Sequence, residues 1–435
     1  MKDYLKLLLF NQNYNFIYFK NYTLRANIYN ILNLIFKNEY LETKKKGKNI
    51  HSKILSLREF IYKLISLIYL VPGIVLYFFN LRFVCVNPYS LGTYSEELEA
   101  ILIDNIKNKK KLILLEPKSF SANQFFVDIF FKNYFFKITS NIYCIFLIPF
   151  TYLNFLRVDA YDKINKIYFQ RQYYYADNKI KNEIKFDHNI LFEKRSSSEI
   201  NNFFEFEKLK DLHKNALDQI NLKKICFLHI RNEQKLRLRN SEFKNYLETI
   251  GYLINQGFNV VFFSKFNPNL NLKGFHFFDL NKNHNKKKQI YYLIKSEIYL
   301  GQISGPFFLA NFLKKKMIIT DLVIFNHLLY SENFVVVTKK YSKNDKQLSL
   351  KNIFDEKVEC VWESEILELK NINFMNNSSD EILEATKEMI DGKITQNKNK
   401  VLEYLSNNKI NIQHSNFSIL RNLSSYYINK NRFID

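Results

Sequence analysis

Between residues 225 and 320, short apolar runs alternate with amphipathic stretches, and this alternation restricts the fold more than any other feature. The predicted strands are ICFLHI, NVVFFS, GFHFFDL, EIYLGQ and KMIIT, and the predicted helices are SEFKNYLETIGYLINQ, KKKQIYYLIKS and SGPFFLANFLKK. Because the strands are apolar almost throughout, both faces of their sheet must be covered. The pattern therefore predicts an α/β domain built on a parallel sheet.

The chain has 435 residues, which is enough for more than one domain. The runs RFVCVNP, KLILLEP and IYCIFLIPF predict strands of a second α/β unit, and residues 160–215 predict helices and a linker. The predicted organisation is a basic helical segment at 1–81, an N-terminal α/β domain with its linker at 82–215, a C-terminal α/β domain at 216–370 and helices at 371–435.

The run LISLIYLVPGIVLYFFNL at residues 64–81 has no charged residue, and Lys63 and Arg82 stand at its ends. A span needs about 20 apolar residues, and Pro72 and Gly73 predict a break or kink near the centre. Three placements are open: on a membrane surface, in a protein core, or across a bilayer. The basic flank favours anionic headgroups, so we expect a membrane surface among the partners.

Basic residues outnumber acidic ones by 22. An anionic partner explains such a surplus, and so does the Lys-rich and Asn-rich composition typical of an AT-rich genome. No nucleic-acid-binding motif is present, so nucleic acid is not an expected partner. The four cysteines are far apart and lack zinc-ligand spacing, which favours a reducing compartment. We expect a cytoplasmic protein, peripheral on the inner face of the cell membrane.

Polar residues follow two of the predicted strands, where a parallel sheet binds its ligands. A histidine and an arginine end the first strand, the segment RLRNS opens the next helix, and Ser-Gly-Pro opens a later one. A helix start and a guanidinium both suit a diphosphate. Taken singly, the histidine is more often a structural residue and Ser-Gly-Pro is usually a helix cap, and the basic residues also fit a solvated loop. The predicted ligands are His229, Arg231, Arg239, Asn240, Ser304 and Gly305.

Motifs of other nucleotide-binding proteins are missing. No GxxxxGK[ST] loop is present, which excludes a P-loop ATPase by pattern. No GxGxxG segment follows the first strand, which disfavours a dinucleotide-dependent dehydrogenase. No cofactor is expected.

The stretches FLHIRNEQ, LRNSEFKNYLETIGYLINQGFNVV, YLGQISGPFFLANFLKKKMIITD and NSSDEILEATKEMI resemble a family of bacterial glycosyltransferases found with surface-polysaccharide genes. LGTYSEELEAIL is similar to the Gly-containing N-terminal segment of that family. The resemblance covers most of residues 60–395. The His-x-Arg element is also similar to that of GDP-fucose-using fucosyltransferases, in which the arginine grips the donor diphosphate.

The resemblance implies a GT-B-type fold, with two Rossmann-like domains facing across a cleft and the donor on the C-terminal one. Gly92 would belong to the acceptor side. Two departures stand out: Asn232 and Glu233 follow Arg231 where a basic and then an acidic residue is typical, and Thr93 follows Gly92 where a histidine is frequent. No Asp-x-Asp pair is present, so a metal-independent hexosyl- or deoxyhexosyltransferase is expected, without a metal site.

The expected function is transfer of a sugar from a nucleotide-sugar donor to a glycan or a lipid-linked acceptor in cell-surface polysaccharide synthesis. An inverting reaction needs a base for the acceptor hydroxyl. The alternative function is a non-catalytic, membrane-associated scaffold on a decayed glycosyltransferase fold. Candidate bases are Glu233, Asp279, Glu96, Glu97 and Glu116.

Overall fold

The structure is a computed structural model, and it forms two compact units that divide after Asp162. The described residues before this point form the first unit, and those after it form the second unit. The described residues are 60–86, 98–99, 101–102, 105, 109–118, 123, 125–131, 134–159, 171–176, 179–184, 214–218, 220–232, 237–325, 333–359, 361, 364–392, 401, 403–404, 407, 415–431 and 433–434.

The first unit contains a four-stranded parallel sheet with helices around it. Its strands lie in the order β3-β2-β1-β4. The predicted strands RFVCVNP and KLILLEP are confirmed as β1 and β2. The elements are α1 Phe60–Ile68, α2 Leu70–Phe78, β1 Leu81–Cys85, β2 Lys111–Leu115, α3 Phe125–Phe130, β3 Phe135–Ile138, α4 Asn141–Leu147, a 3-10 helix Ile148–Tyr152 and β4 Arg157–Asp159.

The prediction of a strand at IYCIFLIPF is wrong, because this segment forms α4 and the 3-10 helix. Ser140 caps α4 by accepting a hydrogen bond from the Tyr143 backbone N–H. Cys144 and Ile148 face the core beside Phe83 of β1. A short apolar run has no periodicity that separates a strand from a helix, and only the cap and the packing decide.

The apolar run 64–81 forms α1 and α2, which break at Tyr69, so the predicted break near the centre is confirmed. Pro72 lies in the first turn of α2, where its missing N–H removes no helical hydrogen bond. No helix among the described residues is, taken singly, long and apolar enough to cross a bilayer. Together α1 and α2 meet the length and hydropathy of a span, but they are bent by 68°.

The second unit contains the predicted parallel sheet, whose six strands lie in the order β12-β11-β10-β7-β8-β9. All five strands predicted between residues 225 and 320 are confirmed, and β12 is added. The elements are β5 Arg171–Ala176, β6 Lys179–Ile184, α5 Lys214–Asp218, β7 Ile225–His229, α6 Leu247–Asn255, β8 Asn259–Ser264, β9 Phe275–Asp279, α7 Asn283–Lys295, β10 Ile298–Gly301, α8 Gly305–Phe312, β11 Lys316–Leu322 and β12 Phe334–Thr338.

The strands β5 and β6 pair as an antiparallel hairpin. Helices were predicted for this part of residues 160–215, so that prediction is wrong for the hairpin. The remainder of the predicted linker lies largely outside the described residues.

The chain after β12 returns to cover one side of the large sheet. It forms β13 Lys340–Lys343, β14 Lys346–Gln347, α9 Leu350–Asp355, α10 Ser364–Leu369, β15 Ile372–Met375, α11 Ser379–Ile390, a 3-10 helix Ser415–Asn422 and α12 Ser425–Asn431. Ser378 caps α11 and forms a capping box with Glu381. Helix α11 packs against α6 and β12, next to the carboxyl ends of the strands.

Candidate functional site

The strand order of the second unit creates a crevice between β7 and β10. From β7 the chain runs outward through β8 and β9, then crosses back to β10 and continues through β11 and β12 on the other side. This is the strand order of a nucleotide-binding Rossmann sheet. Its ligands bind at the carboxyl ends of the two strands where the order reverses. Those two ends are His229 and Gly301.

Gly301 permits the two strands to meet at the crevice. It pairs in register with His229 and has a φ of 147°, which side-chain-bearing residues rarely adopt. A Cβ atom at this position would lie 1.9 Å from the His229 backbone oxygen. Only glycine therefore fits at the end of β10.

His229 lies in the crevice with both ring nitrogens buried. Neither nitrogen has a hydrogen-bond partner among the described residues. Burial, together with the positive charges of Arg231 and Arg239, lowers the pKa of the ring to about 3. The imidazole is therefore neutral at physiological pH. Buried polar atoms are normally hydrogen-bonded, so an unpartnered ring marks a place where a ligand group fits.

The two arginines approach His229 from the segment between β7 and α6. The Arg239 guanidinium donates to the Ile303 carbonyl at 2.5 Å, which ties it to the loop after β10. The Arg231 carbonyl accepts from the Ser241 N–H at 3.0 Å, which closes this segment into a loop. Arg231 is half-buried and Arg239 is buried. Two fixed positive charges thus flank a neutral imidazole.

Helix α8 begins at the same edge. Ser304 is its N-cap residue, but its side chain makes no capping hydrogen bond. Its buried Oγ has no hydrogen-bond partner among the described residues, and the Tyr299 hydroxyl donates to the Gln302 carbonyl at 2.6 Å. The backbone N–H groups of this helix start can bind an anion. Gly305 is half-buried and leaves that backbone accessible.

Gln302 holds the two sides of the crevice together, and it was missed in the sequence. Its Oε1 accepts from the Arg231 backbone N–H at 2.7 Å. Its Nε2 donates to the Tyr246 hydroxyl and to Thr320 Oγ1, the latter at 3.2 Å. Gln302 is 2% exposed, so each of these bonds forms in a place that water does not reach. Its position directly after a buried strand could have identified Gln302 in the sequence.

A second buried network fixes the segment that follows Arg239. The Ser241 hydroxyl donates to Asp321 Oδ2, and a 3-10 turn Phe243–Tyr246 leads into α6. Lys339 Nζ donates to the Asn240 carbonyl at 2.7 Å and lies 3.6 Å from Asp321 Oδ1. The predicted ligand Asn240 and its neighbour Ser241 are thereby held in place.

The charged pair in this network is fully buried. Both side chains are 0% exposed. Burial raises the pKa of Asp321 and lowers that of Lys339, and the attraction between the two opposes each shift. The Asn377 N–H donates to Asp321 Oδ1 at 2.7 Å, and Asn377 Nδ2 donates to the Thr338 carbonyl at 2.8 Å. The pair therefore has the additional hydrogen bonds that a buried ion pair needs.

The remaining candidate residues lie elsewhere. Asp279 ends β9, two strands from β7 and hence about 10 Å away. Its Oδ1 accepts from the Asn281 N–H at 2.8 Å, so it shapes the turn before α7. Gly92, Glu96, Glu97 and Glu233 lie outside the described residues.

Glu116 lies in the first unit, directly after β2. Its carboxylate is 0% exposed and forms an ion pair with Lys137 of β3 at 2.9 Å. Lys137 also contacts Asp128 at 2.8 Å. Glu116 is therefore a paired carboxylate at the ligand edge of the smaller sheet.

The crevice gathers six predicted residues: His229, Arg231, Arg239, Asn240, Ser304 and Gly305. It combines two cations, a neutral histidine and a helix start, a set that suits a phosphorylated ligand. Among the described residues, no group of three or more His, Cys, Asp or Glu side chains is arranged to hold a metal ion. Comparisons with protein-family models, curated proteins and solved structures found no match.

Proposed function

We propose that the chain is a glycosyltransferase that moves a sugar from a nucleotide-sugar donor to a glycan or a lipid-linked acceptor in cell-surface polysaccharide synthesis. The observation that carries the proposal is the His229 ring, whose buried nitrogens have no hydrogen-bond partner in the described part of the chain and which Arg231 and Arg239 flank at the strand reversal. A diphosphate would supply the missing hydrogen-bond acceptor. The resemblance of the surrounding motifs to glycosyltransferases narrows the phosphorylated ligand to a nucleotide sugar.

In this proposal the protein stabilises the leaving group. Negative charge grows on the donor diphosphate as the bond to the sugar breaks. Arg231, Arg239 and the start of α8 supply fixed positive charge beside it, and preorganised groups of this kind lower the barrier. The neutral His229 ring donates one hydrogen bond to a phosphate oxygen without adding a third charge. The mechanism uses no metal or cofactor.

The first unit is the acceptor side in this proposal, and the two units form a GT-B-type pair. Both units contain a parallel sheet, as that arrangement requires. Among the candidate bases, Asp279 and Glu116 already have structural partners. Glu233 follows Arg231 by two residues in the chain and is the first carboxylate to test by substitution.

A thermal-shift screen against nucleotides and nucleotide sugars tests the donor site. The true donor should raise the melting temperature, because a ligand that binds the folded state stabilises it by mass action. Turnover with that donor then tests the arginine. Arg231→Ala should fold normally and lose about a hundredfold or more in turnover, and Arg231→Lys should be intermediate, since lysine keeps the charge but loses the planar fork.

Lys118→Ala is the matched control. Lys118 is an exposed cation at the corresponding edge of the smaller sheet, so its loss should leave donor affinity unchanged. Wild-type turnover in a folded Arg231→Ala protein would refute the assignment of the donor site. Donor binding without turnover on any glycan or lipid-linked acceptor would favour the non-catalytic alternative.

A further inference from the structure

The first unit presents an extended apolar face to the outside. On α1, α2 and the C-cap residue of α2 the most exposed large side chains are Leu67, Ile68, Val71, Phe78 and Phe79. Phe78 is 81% exposed and Ile68 is 77% exposed. Large contiguous apolar surfaces are rare on soluble monomers and mark an interaction site. These side chains, together with Ile142, Tyr143 and Phe146 of α4 and Phe136 of β3, are called the apolar face.

The opposite sides of the same helices are packed. Tyr69 lies edge-on to Phe150 at 4.8 Å, and Tyr77 contacts Phe155 at 5.7 Å. At Gly73 a Cβ atom would lie 2.6 Å from the Leu153 side chain, so α2 sits close against this core. The two helices are therefore anchored through one side, and the exposed side is available to a partner.

Helix α4 extends the apolar face on the same side of the sheet. It exposes Ile142, Tyr143 and Phe146, while its buried Cys144 packs in the core that α2 also covers. Phe136 of β3 is 71% exposed and pairs in register with Ile113, whose side chain belongs to that same core. Sequence-distant elements thus contribute to one apolar surface.

The surroundings of the apolar face are basic. Residues 60–82 and 141–156 contain no Asp or Glu. Lys63 is exposed on α1. Beyond Phe79, the Asn80 side chain donates to the Lys109 carbonyl at 3.2 Å, and the Lys111 N–H donates to the Asn80 carbonyl at 3.0 Å.

These bonds bring the basic run 109–111 to the end of α2. Arg82, which the sequence suggested as the basic residue at this end, is instead buried over the Tyr77 ring. The positive charge beside the apolar face at this end therefore comes from the lysines of a distant loop. These lysines are distant from α2 in the sequence and come close to it only in the folded chain.

We infer that the apolar face docks on the surface of an anionic lipid bilayer. Aromatic and aliphatic side chains without carboxylates insert at the boundary of headgroups and acyl chains, and flanking lysines bind anionic headgroups. The 68° bend between α1 and α2 suits helices that lie along a surface. This inference concerns the first unit and stands independently of the donor site in the second.

Vesicle co-sedimentation of the full-length protein tests the inference. Binding to phosphatidylcholine vesicles should be weak and should increase strongly when phosphatidylglycerol is included. The triple variant Ile68→Ser, Val71→Ser, Phe78→Ser should bind the mixed vesicles at least about a hundredfold more weakly, because three large apolar side chains no longer insert. The pair Ile142→Ser, Phe146→Ser should lose about tenfold or more.

The lysines are tested in the same assay. Replacing Lys109, Lys110 and Lys111 by Gln should weaken binding about a hundredfold, since each lysine near an anionic surface contributes about fivefold. Matched controls lie in the second unit: Leu272→Ser with Leu369→Ser for exposed apolar residues, and Lys273→Gln, Lys346→Gln and Lys351→Gln for exposed lysines. These controls should bind as the wild type does.

Three results would overturn the inference. The first is vesicle binding that does not depend on phosphatidylglycerol. The second is binding that the apolar-face variants leave unchanged, which would assign it to another part of the chain. The third is light scattering that shows a lipid-free dimer weakened by the same variants, which would make a second copy the partner. The donor-induced thermal shift of each variant is measured in parallel and should stay at the wild-type value.

Discussion

The two parallel sheets of this protein share a topology and differ in what stands at their ligand edges. In the first unit the order is β3-β2-β1-β4, and in the second the strands β9-β8-β7-β10 repeat the same order from the start of that sheet. The first edge carries a buried carboxylate, Glu116, paired with Lys137. The second carries a neutral histidine between two arginines. One scaffold therefore supports opposite electrostatics, and the side chains determine the ligand.

The second sheet has two further strands, β11 and β12, which have no counterpart among the described residues of the first unit. Asp321 of β11 and Lys339, which directly follows β12, hold the loop of Asn240 and Ser241 in place. The first edge relies on the single cluster of Glu116, Lys137 and the more exposed Asp128. A binding loop that follows one strand is therefore held in place by side chains that belong to, or directly follow, the neighbouring strands.

Substitution of Gly301, which pairs with His229 at the end of β7, should have the largest effect on stability. Gly301→Ala places a Cβ atom 1.9 Å from the His229 carbonyl at a φ of 147°, so β7 and β10 must separate. We expect a loss of about 4 kcal/mol in the free energy of unfolding, above the usual range for one substitution, because the backbone clash adds to the strain of the φ angle. Urea denaturation measures it.

The control is another glycine of the same unit. Gly251 lies in α6, and a Cβ atom added there would have no other atom within 4 Å, so Gly251→Ala should stabilise the protein by about 0.5–1 kcal/mol. If Gly301→Ala is as stable as the wild type, β10 does not approach β7 as closely as described. The two sheets could then not be compared at their central strands.

Removal of the buried lysine should come next. Lys339→Ala leaves Asp321 buried without its cation, which typically costs about 3–5 kcal/mol. It also removes the bond to the Asn240 carbonyl, so donor affinity should fall. Urea denaturation and donor titration measure the two effects.

Lys137→Ala is the counterpart in the first unit. Its side chain is 14% exposed, so the partner carboxylate gains water more easily and the cost should be smaller. Donor affinity should not change. Equal losses of donor affinity in both variants would refute the idea that only the second edge binds the donor.

The smallest expected effect is a pH dependence confined to the second unit. Folding lowers the pKa of His229 from an ordinary 6.5 to about 3, so the unfolded chain binds the proton more readily between those values. Stability should therefore fall as the pH drops below 6.5, by about 2 kcal/mol at pH 5 for this residue. His229→Asn should lack this part of the acid sensitivity in urea titrations at pH 7 and pH 5.

Residues 60–159 contain no histidine, so the first unit adds no histidine titration there. His276→Asn is the matched control. That ring is only partly buried and bonds Asn259 at 3.0 Å, so its substitution should change the acid sensitivity less. An identical pH profile for wild type and His229→Asn would contradict the burial of the ring.

The sequence by itself determined the large sheet and most of the crevice. Continuous apolar strands alternating with amphipathic helices specify a parallel sheet, because such strands need cover on both faces. Connections between parallel strands then force the carboxyl ends to one edge. His229, Arg231 and Ser304 were predictable for that reason, since each follows a strand that the pattern located.

Only the tertiary structure decided the rest. Gln302 bonds Tyr246 across 56 residues and Thr320 across 18, and Asp321 bonds Ser241 across 80, and no local pattern encodes such partners. Helix α4 was mistaken for a strand because a short apolar run fits either form until packing selects one. The lysines beside Phe79 are likewise neighbours only in space. Local periodicity specifies which elements form, whereas buried polar pairing and surface charge depend on which elements meet.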